Sequence, residues 1–98
     1  MKRKIIWDTH AKEYLKRSLQ YIKQDSPQNA EIVKDEIKSL IRKIPDQPER
    51  YPADKYRVNN TGNYRAFELY HFRISYFIND TEIRIIRIRH TKEKPQGY

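Results

Sequence analysis

The chain has 98 residues, with 21 Lys and Arg against 13 Asp and Glu, a formal net charge of +8, and no cysteine. That length supports about one small core; the missing cysteines exclude a disulfide framework, a thiolate metal site and a cysteine nucleophile. The excess of positive charge points toward polyanions or acidic proteins as partners.

The basic start Met1 to Lys4 reaches only Ile5, Ile6 and Trp7 before Asp8, too short for a secretory segment. No stretch is long enough to span a membrane, so a cytoplasmic protein with no membrane partner is expected. Lys4 to Trp7 reads as a short strand, and Asp8 as the N-cap of a helix over about Thr9 to Gln24, with Ala11, Leu15, Ser18 and Ile22 on one stripe. Ser26 caps a second helix with Pro27 at its first position. There Ala30, Val33, Ile37, Leu40, Ile41 and Ile44 recur at intervals of three and four, and Pro45 ends the run. So short a link makes the two helices an antiparallel hairpin, and each needs a sheet to cover its apolar face.

Pro45, Pro48, Pro52, Asn59, Asn60 and Gly62 mark a long loop, with a few extended residues expected around Lys55 to Val58. A loop of this length is either functional or a loosely ordered connection. The period then changes to two: strands are expected over Tyr64 to Tyr70, Phe72 to Ile78 and Glu82 to His90, with a tight turn at Asn79-Asp80-Thr81. In the middle strand Phe72, Ile74, Tyr76 and Ile78 share one face, and Arg73, Ser75 and Phe77 the other. Ile83 and Ile85 conflict with Ile86 and Ile88 over the register of the last strand. The expected fold is α+β, one domain over residues 1–98: an N-terminal strand, an antiparallel helical hairpin and a three-stranded antiparallel meander in one sheet.

That arrangement leaves one sheet face free. Arg65, Arg73 and Arg87 are placed there, with Arg89, His90 and the tail at the rim, a basic surface suited to a phosphate backbone. The competing reading is that strand arginines only keep an exposed sheet face wet. His10, His71 and His90 have no metal-binding spacing, so neither metal nor cofactor is expected.

Tyr64-Arg65-Ala66-Phe67-Glu68-Leu69, Phe72-Arg73-Ile74-Ser75-Tyr76 and Ile85-Ile86-Arg87-Ile88-Arg89-His90 resemble the RelE/ParE superfamily of bacterial type II toxin-antitoxin toxins. The resemblance covers essentially the whole chain and implies a cognate antitoxin as partner. It implies two possible mechanisms: ribosome-dependent mRNA cleavage, the leading expectation, or inhibition of DNA gyrase as in plasmid-stabilising ParE-like members. A non-toxic nucleic-acid-binding module is a third reading.

For an endoribonuclease, the resemblance assigns Arg65 and Arg73 to the scissile phosphate. His90, whose ordinary pKa lies near neutrality, is then the candidate general acid or base; its alternative is a strand-end histidine bonded to the backbone. Arg87, Arg89, Lys92 and Lys94 would supply further RNA-binding charge, and Tyr98 could stack on a base. Phe67 and Glu68 stand where such nucleases carry further cations, a departure from the nuclease pattern.

Overall fold

A computed structural model describes residues 3–94 and 96–98; Met1 and Lys2 of the basic start and Pro95 of the tail lie outside it. The elements run β1 (Lys4–Trp7), α1 (Thr9–Asp25), α2 (Pro27–Lys43), a 3-10 turn (Ile44–Asp46), β2 (Tyr64–Leu69), β3 (Phe72–Ile78) and β4 (Glu82–His90). Both expected caps form. The Asp8 carboxylate accepts from His10 N–H and the Ser26 hydroxyl from Asn29 N–H, each at 3.1 Å, with Pro27 opening α2. These bonds satisfy N–H groups that the first helical turn cannot.

The sheet order is β1-β4-β3-β2. The meander β2-β3-β4 is antiparallel, while β1 returns parallel to β4, so the sheet is mixed. A parallel return needs a crossover long enough to pass over the sheet, and the helical hairpin is that crossover. Ala11, Leu15, Val33, Ile37, Ile41 and Ile44 from the helical layer pack on Phe67, Phe72, Ile74, Tyr76, Ile83, Ile85 and Ile88.

The conflict among the isoleucines of β4 is resolved by a β-bulge. Ser75 pairs with Arg87 but Tyr76 with Ile85, so Ile86 is the extra residue. Ile83, Ile85 and Ile88 therefore all reach the core, at 0%, 0% and 3% exposure, while Arg84, Arg87 and Arg89 share the opposite face with Phe77, Ser75 and Arg73. The turn after β3 is held by the Asn79 side-chain oxygen, which accepts from Thr81 N–H at 2.9 Å and Glu82 N–H at 2.8 Å.

The segment between α2 and β2 contains no strand. Its one bridge is Ala53 to Arg65, not at Lys55 to Val58 where extension was expected. It folds back over the free sheet face and buries Asp54. The loop is therefore held in place and is not the loosely ordered connection that was one of the two readings of it.

Candidate functional site

The free face is roofed by Asp54, Tyr56 and Arg57 of the loop before β2 and by the end of the chain. Between roof and sheet lies a cleft of about 70 Å³ whose lining includes Asp54, Glu68, Arg73, Arg87, Arg89 and Tyr98. Arg73 sits at its centre. Its Nη2 donates to the buried Asp54 carboxylate at 2.8 Å and its Nη1 to Glu68 at 3.0 Å, and its guanidinium lies 4.8 Å from the Tyr56 ring centroid. Burial works against the charged Arg73, but Asp54 and Glu68 more than offset it and raise its pKa. Burial likewise pushes the Asp54 carboxyl up. Hydrogen bonds from Tyr98, Arg73, the Tyr56 N–H and Ser75 outweigh that and hold it below its ordinary range.

A carboxyl so held contributes stability above its ordinary value near 3.8 and loses it as pH falls further. The thermal midpoint is therefore expected to drop as the buffer is taken below about pH 3.5, and Asp54→Asn to flatten that drop. An unchanged acid limb in the variant would show that other carboxylates carry it.

Tyr98 closes the cleft. Its hydroxyl donates to Asp54, its N–H to Tyr56 O at 2.9 Å, and its main-chain oxygen accepts from Val58 N–H at 2.7 Å. Burial, and then the bond to Asp54, push its phenol up. The guanidiniums of Arg87 and Arg57 lie 4.6 and 5.2 Å from its ring centroid, and Arg87 Nη1 also donates to Gln96 O at 3.2 Å. Arg73 and Arg89 are direct cross-strand partners, a like-charge pairing that costs stability unless each is neutralised. Arg73 has Asp54 and Glu68, and Arg89 has Glu93 at 3.5 Å.

A family profile, "ParE toxin of type II toxin-antitoxin system, parDE", matches residues 5–95. The chain belongs to the ParE toxin family. Its fold is shared with a solved chain described as "Chromosomal ParDE TA system from P. aeruginosa", at TM-score 0.69 and 17% identity, covering 92% of this chain and 97% of that one. Among curated proteins no sequence matches.

In this ParE-family chain the candidate residues separate. Arg73, Arg87 and Arg89 do share the free face. Arg65 does not, and its expected placement there is corrected: it pairs with Tyr76, so it lies on the helix-facing side of the sheet. There its guanidinium donates to the carbonyls of Gly62, Glu49 and Tyr51 at 3.1, 3.3 and 2.7 Å and holds the loop before β2. Tyr76, buried beside it, has its phenol pushed up to about 12, chiefly by burial.

His90 pairs with Phe72, also on the helix side but at the strand end, where it borders the cleft as well. Its Nδ1 accepts from Lys92 N–H at 3.2 Å and its own N–H donates to the Tyr14 hydroxyl at 2.9 Å. Tyr14 in turn donates to Glu93; burial first, then that bond, raise the Tyr14 phenol. Lys92 and Lys94 are exposed, and the Lys94 main-chain oxygen accepts from Arg89 at 3.4 Å. Asp54, Tyr56, Arg57 and Tyr14 were not visible as site residues, because their contacts to the sheet are made across the fold, whereas Glu93, four residues from Arg89, offered a local signal.

Among the described residues no group of three or more His, Asp or Glu could hold a metal ion, and no helix is long and apolar enough to cross a membrane.

Proposed function

We propose that this ParE-family toxin acts by gripping a protein target, DNA gyrase, rather than by cutting RNA. One observation carries the reading: Arg73, the cation that a nuclease would offer to a scissile phosphate, is already neutralised by Asp54 and Glu68. RNA cleavage through the 2′-hydroxyl needs a base, an acid and unneutralised positive charge converging on one phosphate. Of the three residues assigned to those roles Arg73 and His90 border one cleft, but Arg65 works on the other sheet face.

The cognate antitoxin is the second partner in this reading. A groove of about 340 Å³ floored by Trp7, Leu15 and Leu19 and rimmed by Lys12, Lys16, Lys34 and Lys38 runs beside β1, an edge strand of the sheet. An acidic amphipathic segment is the chemistry that suits it.

The test sets gyrase supercoiling against mRNA cleavage on purified ribosomes. The purified chain is expected to inhibit supercoiling and to leave ribosome-bound mRNA intact. Ribosome-dependent cleavage that disappears in His90→Ala, with the fold retained by circular dichroism, would overturn the reading.

A further inference from the structure

Two arginines of the free face and its roof stand outside the charge neutralisation described above. Asp54 and Glu68 neutralise Arg73, Glu93 faces Arg89, and Glu82 faces Arg84. Among the described residues Arg57 and Arg87 have no carboxylate partner, and neither has the exposed Lys55, two residues before Arg57. Rings hold these arginines instead. The Arg57 guanidinium lies 4.0 Å from the Tyr64 ring centroid and 5.2 Å from that of Tyr98, and Arg87 lies 4.6 Å from the same Tyr98 ring. Phe77, the cross-strand partner of Tyr64, packs on the Tyr64 ring at 4.8 Å. The main chain of Tyr98 fixes its ring from a second side, through the bonds to Tyr56 O and from Val58 N–H.

A guanidinium held against a ring keeps its charge and its fork of N–H donors, and has already given up much of the rotamer freedom that binding would cost it. The donors here are largely unused. Among the described residues the Arg57 guanidinium makes no hydrogen bond, and that of Arg87 makes one, to Gln96 O. Tyrosine and arginine dominate the residues that carry binding energy at protein interfaces, and Val58, 61% exposed, adds apolar surface beside them. The Tyr98 ring on which a base would stack already carries two guanidiniums, so the patch suits a carboxylate-bearing protein segment better than a nucleic acid. It is built on β2, β3, β4 and the loop before β2, away from the groove of Trp7, Leu15 and Leu19 assigned to the antitoxin.

We propose that Arg57 and Arg87, held on the rings of Tyr64 and Tyr98, form the surface by which the toxin grips carboxylates of its protein target. The proposal rests on the binding reading above and names the surface that does the binding.

The deciding variant is Arg57→Gln combined with Arg87→Gln, which removes the two unpaired charges and leaves Arg73, Asp54 and the core in place. Its thermal midpoint is expected to fall by about 5 °C as the ring contacts are lost, with the fold retained by circular dichroism. Affinity for purified gyrase should drop about tenfold for each arginine removed, and growth arrest on expression in a bacterial host, at matched protein level, should be lost. Native binding should weaken as salt is raised, and binding by the variant should respond less. Arg57→Lys keeps the charge without the planar fork, so native affinity in that variant would overturn forked recognition of a carboxylate. Native affinity and full arrest in the double variant would overturn the proposal outright. Tighter binding to a mixed-sequence single-stranded RNA than to gyrase, lost in the double variant, would also overturn it, because the patch would then belong to a nucleic acid. So would a double variant that still binds gyrase but no longer binds the antitoxin. If the native chain arrests growth without binding gyrase and the double variant does not arrest it, the surface stands and gyrase is the wrong target. A native chain that neither arrests growth nor binds gyrase would overturn both readings.

Discussion

Arg73→Ala is expected to destabilise the fold by about 3 kcal/mol, and to lower the thermal midpoint by about 15 °C for a chain of this length. The loss comes from what is left behind rather than from the ion pair itself. Asp54 has 0% side-chain exposure, and without Arg73 its charge keeps only neutral donors, the Tyr98 hydroxyl, Tyr56 N–H and Ser75. Removing one member of a buried pair strands the other, whereas replacing both with apolar groups of similar size is often close to neutral. The double variant Asp54→Leu with Arg73→Met should therefore recover most of the loss, measured by chemical denaturation. Should the double variant prove as unstable as the single one, the pair would be contributing much more than mutual neutralisation. That double variant also serves the functional question. It removes the arginine once assigned to the scissile phosphate while keeping the fold, so a toxin that acts by binding elsewhere should still arrest growth.

What the sequence made legible was whatever recurs at short range. The helices and three late strands follow from periods of 3.6 and 2, and the caps at Asp8 and Ser26 from side-chain chemistry within three residues. The position of Arg65 was readable and was misread. Arg65, Phe67 and Leu69 share parity along β2, so the alternation itself puts Arg65 on the side of the apolar residues. Grouping it with Arg73 by residue type overrode that signal. Asp54 is a different case, since no periodicity inside a proline-rich loop indicates that one carboxylate will be buried against a strand arginine 19 residues later. Tyr98 is similar: a residue at the end of the chain carries no local sign that its ring and hydroxyl close a cleft. The charge-locked character of the free face was thus half legible, since Glu68 and Glu93 stand within five residues of Arg73 and Arg89 while Asp54 does not, and the count of arginines alone suggested an open phosphate-binding surface.

Ile85→Ala should cost about 3 kcal/mol, and its neighbour Ile86→Ala less than about 1 kcal/mol. The two residues are chemically identical and adjacent, so only the register of β4 separates them. Strict alternation has two solutions, and each fails. Fixing Ile88 inward would bring Ile86 in with it and send Ile83 and Ile85 out beside Arg87 and Arg89. Fixing Ile83 and Ile85 inward would drive both arginines into the core, where unpaired charge is prohibitively costly. The bulge absorbs Ile86 and changes the parity midway, placing Ile83, Ile85 and Ile88 inside and Arg84, Arg87 and Arg89 outside. Equal destabilisation by the two substitutions in urea titration, or a larger effect at Ile86, would contradict this register. It would also remove the reason that Arg87 and Arg89 stand beside Arg73 on one face, because the arginine cluster and the apolar core of β4 depend on that single extra residue.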